Sequence, residues 1–211
     1  MNKFRQPFNG VSHLAAAIVS VTGLVWLLVM TWDEPLRRFS MLIYGLTLVL
    51  MFATSAAYHS INSRPETMLV LKKLDHTAIY LLIAGSYTPI CLHYFEGFWR
   101  WPFLGIVWTL AAAGVIIKLL LINTPRWLTA GLYLALGWLS MLAIGEILRT
   151  FPPGALFWLS AGGVFFTIGS LIYILRKPDF VPNRFGFHEV WHIFVILGAL
   201  SHFILVARFI A

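Results

Sequence analysis

Residues 187–209 read FHEVWHIFVILGALSHFILVARF, and only Glu189 and Arg208, near the two ends, are formally charged. Its length matches the roughly 20 apolar residues that cross the hydrocarbon of a bilayer. Backbone groups find no water there, so such a run must be helical. Working back toward the amino terminus, six more apolar runs lie between charged residues, at about 12–32, 39–61, 73–95, 101–122, 127–148 and 155–175. Turn signals separate them: Asp33-Glu34-Pro35, Asn62-Ser63-Arg64-Pro65, Asn123-Thr124-Pro125, Pro152-Pro153-Gly154, and Lys177 to Gly186 with Pro178 and Pro182. The expectation is an all-α integral membrane protein, a seven-transmembrane-helix bundle forming one membrane domain over residues 1–211.

Composition agrees. With 60% hydrophobic and 11% charged residues, the chain has too little polar surface to cover a soluble globule. Seven spans and short loops consume its 211 residues, leaving no room for a separate soluble domain. The net charge of +7 does not indicate nucleic acid, because the lysines and arginines stand singly or in pairs at the ends of apolar runs. The single cysteine, Cys91, lies inside an apolar run, which excludes an internal disulfide and predicts a buried apolar side chain. The first run lacks a small-residue cleavage signature and reads as a retained helix. Trp32, Trp99, Trp101 and Trp127 fall where an interfacial belt belongs. Gly131, Gly137, Gly162, Gly163 and Gly169 suit close helix packing in the fifth and sixth runs.

The cationic residues set an orientation. Lys3, Arg5, Arg64, Lys72, Lys73, Lys118, Arg126, Arg176, Lys177 and Arg184 fall on one side of the alternating layout, ten in all. Arg37, Arg38, Arg100, Arg149 and Arg208 make five on the other. The positive-inside rule then predicts a cytoplasmic amino terminus and an extracytoplasmic carboxyl terminus.

Ionisable groups within spans are costly and mark candidate sites. In this topology His59 closes the second helix, Asp75 and His76 open the third, and His188 and His192 open the seventh, all near the cytoplasmic face. Residues four apart on a helix differ by only about 40°, so Ser55 shares a face with His59, and His188 with His192. Two imidazoles at that spacing with a third from another helix make a three-ligand zinc site that leaves a fourth position open, as catalytic zinc requires. Zinc lowers the pKa of bound water to about 7, and a carboxylate one hydrogen bond away can take the proton. Asp75 is placed to be that catalytic carboxylate, with Ser55 hydrogen bonding beside it. His13, His76 and His93 are expected singly in the headgroup zone, and His202 as an interhelical hydrogen-bonding residue. Taken alone, Asp75 would pair with Lys72 or Lys73.

Ser-x-x-x-His ending the second helix, Asp opening the third and His-x-x-x-His opening the seventh resemble the progestin and adipoQ receptor family, and in particular its bacterial branch, hemolysin III. The resemblance covers nearly the whole chain, including Lys73-Leu74-Asp75, Gly85-Ser86-Tyr87-Thr88-Pro89 and Ser201-His202-Phe203. It implies a multi-pass protein of the bacterial inner (plasma) membrane with zinc on His59, His188 and His192, and with Asp75 and Ser55 beside the metal. Through the similar alkaline ceramidases it implies zinc-dependent hydrolysis of a lipid amide. The partner would be a lipid-like small molecule, since no sizeable domain is present to receive a protein. Nothing in the sequence supports the secretion that a pore-forming lysin would need.

Two other readings compete. His188-Glu189-Val190-Trp191-His192 spells H-E-x-x-H, the zinc motif of metalloproteases in which Glu189 would be the general base. An intramembrane protease of that type takes a third ligand from an Asn-Pro-Asp-Gly-like stretch, which is missing, and Glu189 lies about 100° round the helix from His188, free to face Arg184 or Arg64. The other reading is a membrane sensor or receptor whose zinc is structural, closed by a fourth ligand from His13, His76 or Asp75.

Overall fold

The computed structural model describes residues 5–181 and 185–211. Lys3, Pro182 and Arg184, named above as topological charges, turn signal and potential partner of Glu189, lie outside the described residues. The elements are α1 (Pro7–Met30), α2 (Pro35–Ser60), α3 (Pro65–Tyr94), α4 (Gly97–Leu120), α5 (Arg126–Gly137), α6 (Ile144–Thr150), α7 (Pro153–Leu175) and α8 (Phe187–Phe209). Beyond these helices, the described residues hold one isolated antiparallel bridge, in which Val181 and Phe185 exchange both backbone hydrogen bonds at 2.9 Å.

Each apolar run read from the sequence corresponds to one helical passage, with carboxyl-terminal ends that differ by up to two residues, but several helices begin earlier than hydropathy indicates. Proline is the reason. Pro7, Pro35, Pro65 and Pro153 occupy the first helical turns of α1, α2, α3 and α7. The fixed φ of proline suits that position, and its missing N–H has no partner to lose there. Residues that punctuate a loop in the sequence therefore open helices, whose polar first turns an apolar scan passes over.

The fifth run, expected to be continuous over 127–148, is interrupted. A tighter 3₁₀ stretch, Trp138–Ala143, separates α5 from α6. Tyr87 of α3 reaches into this break: its hydroxyl donates to the carbonyls of Leu136 and Gly137 at 3.1 and 2.6 Å and accepts from the Ser140 N–H at 2.7 Å. A side chain inserted into the backbone ladder is a recognised cause of such a break.

Packing places α3 at the centre. It contacts α2, α4, α5 and α8, while α1 lies against α2 and α8, and α7 against α5 and α8. Residues Tyr87 to Leu92 of α3 are buried without interruption, so no face of that stretch meets the surroundings. The 30 residues of α3 extend about 45 Å, well beyond a hydrocarbon core of about 30 Å. Among the described residues, six passages are long and apolar enough to cross a membrane: α1, α2, α4, the broken α5–α6 passage, α7 and α8. α3 is the more polar exception, as its central position permits. Apolar side chains such as Ile18, Val19, Leu120 and Leu148 are more than 60% exposed, an outer surface that only lipid would cover.

Cys91 is fully buried and free, as expected of an apolar thiol. The glycines divide. A Cβ at Gly162 would collide with the His202 ring and one at Gly169 with Phe194, so these two allow α7 to approach α8, whereas a Cβ at Gly131, Gly137 or Gly163 would meet nothing within 4 Å among the described residues.

Candidate metal centre

His59 lies in the last turn of α2, while His188 and His192 occupy the first two turns of α8. The structure brings these three together: one nitrogen from each lies within 4.8 Å of the others, and ring centroids are separated by 4.7 to 5.2 Å. His59 and His192 are almost wholly buried. Nε2 of His188 and both ring nitrogens of His192 are buried without a hydrogen-bond partner among the described residues. Unpaired buried nitrogens are expensive, so three imidazoles gathered in this way call for a shared ligand. An all-nitrogen donor set suits zinc rather than calcium or magnesium, which prefer oxygen. The residues present therefore fit the metal that the sequence implied.

Asp75 is buried in the third turn of α3, beyond the helix start where it was expected, because Pro65 opens α3 earlier. The Ser55 side chain sits against the Asp75 carboxyl, and both are buried. Asp75 does not belong to the group of donors within 4.8 Å of one another, which leaves it near the metal ligands in sequence logic but outside the ligand set. Pairing of Asp75 with Lys72 or Lys73 is not seen among the described residues, whose ion pairs are Arg37–Glu34, Arg149–Glu96 and Arg149–Glu146.

His13 departs from its expected place in the headgroup zone. It is 2% exposed, and its ring lies 4.0 Å from that of His192, tilted by 36°. The physical reason is the early start of α1 at Pro7, which carries residue 13 into the helix and onto the face it turns toward α2 and α8. Among the described residues, neither nitrogen of His13 has a hydrogen-bond partner. His76 is half-buried, and its carbonyl accepts from the Tyr133 hydroxyl at 2.9 Å. His93 is at the other end of the bundle, with Nε2 3.0 Å from Ser40 Oγ. His202 packs between α8 and α7 against Phe166, with ring centroids 5.5 Å apart.

Glu189 is engaged elsewhere. Its Oε1 accepts from Asn9 Nδ2 at 3.0 Å, and its Oε2 accepts from the Gly186 N–H at 2.9 Å, capping the first turn of α8. Neither Arg64 nor any other cation forms an ion pair with it among the described residues. Sequence reading passed over Gln6 and Asn9, which meet His59 and Glu189. A signal was available, since Asn9 and His13 share the i, i+4 spacing that drew attention to His188 and His192.

A groove of about 390 Å³ between α2, α3 and α4 is lined by residues including Phe39, Leu92, Trp101 and Trp108. Phe39 and Trp101 lie near the starts of α2 and α4, Leu92 in the last turn of α3 and Trp108 halfway along α4, so the groove opens toward the end of the bundle opposite the histidines.

Comparison with known proteins gives a consistent answer. The family model described as Haemolysin-III related matches residues 1–203. The Hemolysin-3 homolog of Bacillus subtilis (strain 168) is 31% identical, with 92% of this chain and 89% of the relative aligned. Hemolysin-3 of Bacillus cereus is also 31% identical, over 96% of this chain and 90% of its own length. The human Monocyte to macrophage differentiation factor is 23% identical over 96% of this chain and 83% of its own. The chain belongs to the haemolysin-III related family of multi-pass membrane proteins.

Proposed function

We propose that this protein is a zinc-dependent hydrolase of a lipid amide, built as a single domain of seven spans in the plasma membrane, or the inner membrane where a cell has two. In this reading α3 is the seventh span, and the amino terminus is cytoplasmic. The observation that carries the proposal is the convergence of His59, His188 and His192, with nitrogens of His188 and His192 buried and unpaired among the described residues, beside helices that also bury the Ser55–Asp75 pair.

Zinc, when bound, supplies a Lewis acid for an amide carbonyl. The chain's own groups divide the remaining work. His59, His188 and His192 hold the metal from α2 and α8. Asp75 accepts the proton of the attacking water and returns it to the leaving amine, a task for a carboxylate kept out of the ligand set. Ser55 holds Asp75 in place by hydrogen bonding. The apolar surroundings suit a substrate that arrives from lipid. Comparison of the lipids of cells with and without the protein tests this reading: a lipid amide should accumulate in the deletion, and the purified protein should cleave it. Unchanged lipid amides and no cleavage would contradict it.

A second reading keeps the metal and drops the reaction, and His13 favours it. A fourth imidazole, tilted against His192 with both nitrogens unpartnered among the described residues, is the candidate to close the zinc coordination as structural sites do, although like Asp75 it lies outside the group of donors within 4.8 Å of one another. The protein would then be a sensor or receptor whose metal joins α1, α2 and α8.

A further inference from the structure

The start of α1 grips two ligand-bearing helices at once. The Gln6 N–H donates to the carbonyl of His59 at 3.0 Å, and Gln6 Oε1 meets Nδ1 of the same residue. One glutamine thus holds both the main chain and the ring of His59. Asn9 Nδ2 is 3.0 Å from Glu189 Oε1 and 3.4 Å from Gln6 Oε1.

The direction of these bonds follows from what each group can donate. A carboxylate only accepts, so the Asn9 group facing Glu189 is the NH2. The same NH2 faces Gln6, so Gln6 presents its carbonyl oxygen there. That oxygen carries no proton, and the hydrogen in its contact with His59 must sit on Nδ1. A neutral imidazole protonated at Nδ1 has its lone pair on Nε2, the form a metal can take.

We propose that Gln6 is a positioning residue of the metal centre: the chain Glu189–Asn9–Gln6–His59 fixes His59 as the Nδ1–H tautomer and reserves Nε2 for zinc. The proposal rests on the metal reading above. It also gives Glu189 a role inside the H-E-x-x-H string that is not that of a base, since Glu189 sets the polarity of the chain from the far end. Second-sphere partners of this kind orient ligating histidines and raise their basicity.

The test combines zinc affinity, measured by chelator competition, with ¹⁵N spectra of histidine in the metal-free protein, the His59 signals being identified by their loss in His59→Gln. Gln6→Leu removes the acceptor and should weaken zinc binding about 10- to 100-fold, with His59 no longer held as the Nδ1–H form. Gln6→Glu retains an acceptor and should restore both. A Gln6→Leu protein that binds zinc as tightly as wild type, or a wild-type His59 protonated at Nε2 instead, would overturn the proposal and leave the metal reading standing. A wild-type protein that takes up no zinc would overturn the metal reading first, and this one with it.

Discussion

Asn9 Nδ2 donates to Glu189 Oε1 across 3.0 Å, tying the first turn of α1 to the first turn of α8. With its other oxygen on the Gly186 N–H, Glu189 has both oxygens occupied and is poorly placed to take a proton from water. Among the described residues, Asp75 has no such backbone engagement, and it is buried against Ser55. Asp75→Asn is therefore expected to keep its zinc and lower lipid amide turnover by about 100- to 10,000-fold, because the amide still hydrogen bonds but cannot accept a proton. Glu189→Gln, whose amide oxygen can still accept from Asn9, should be mild in turnover once zinc content is matched. Turnover of both variants at matched zinc content decides; an inactive Glu189→Gln beside an active Asp75→Asn would establish the protease-like assignment instead.

His13 separates catalytic from structural zinc. His13→Phe retains an aromatic ring against His192 and Phe52 but removes both nitrogens. With three protein ligands the variant keeps about one zinc per chain and its wild-type affinity. A large loss of affinity would show His13 to be a fourth ligand and favour the sensor.

Lys118 offers a stability test away from the site. The residue is 2% exposed, its ammonium donates to Thr124 Oγ1 at 2.6 Å and Thr129 Oγ1 at 2.8 Å, and it has no carboxylate partner among the described residues. Thr129→Val leaves a buried cation short of one acceptor and should cost about 1.5–3 kcal/mol. Thermal unfolding in detergent measures it, and an unchanged midpoint would mean that water replaces the hydroxyl.

Orientation is tested at the carboxyl terminus. Seven spans with a cytoplasmic start put Ala211 outside the cell, so a reporter fused after it should behave as extracytoplasmic. A cytoplasmic signal would show that α3 does not span or that the bundle is inverted, and the shared depth of the histidines would need another explanation.

The sequence made much of this legible because lipid imposes a simple rule: long apolar runs become helices, and costly polar groups inside them stand out. His188 and His192 share a face by helical spacing alone, and their approach to His59 followed from matching the ends of alternating helices. What was not legible depended on contacts between distant residues. The break after Gly137 requires Tyr87, fifty positions earlier, to bond its carbonyl. The burial of His13 required knowing that Pro7 starts a helix rather than ends a loop. Gln6 and Asn9 looked like ordinary terminal polar residues until α1 was packed against α2 and α8. Glu189 was free to face a basic loop until the structure supplied Asn9.

The most direct test of the central claim is the metal content of the purified protein. Wild type should carry about one zinc per chain, and His188→Ala or His192→Ala should lose most of it. The His59→Ala, His192→Ala double variant should bind essentially none while remaining folded in detergent. Full zinc occupancy in that double variant would contradict the assignment of the metal to His59, His188 and His192.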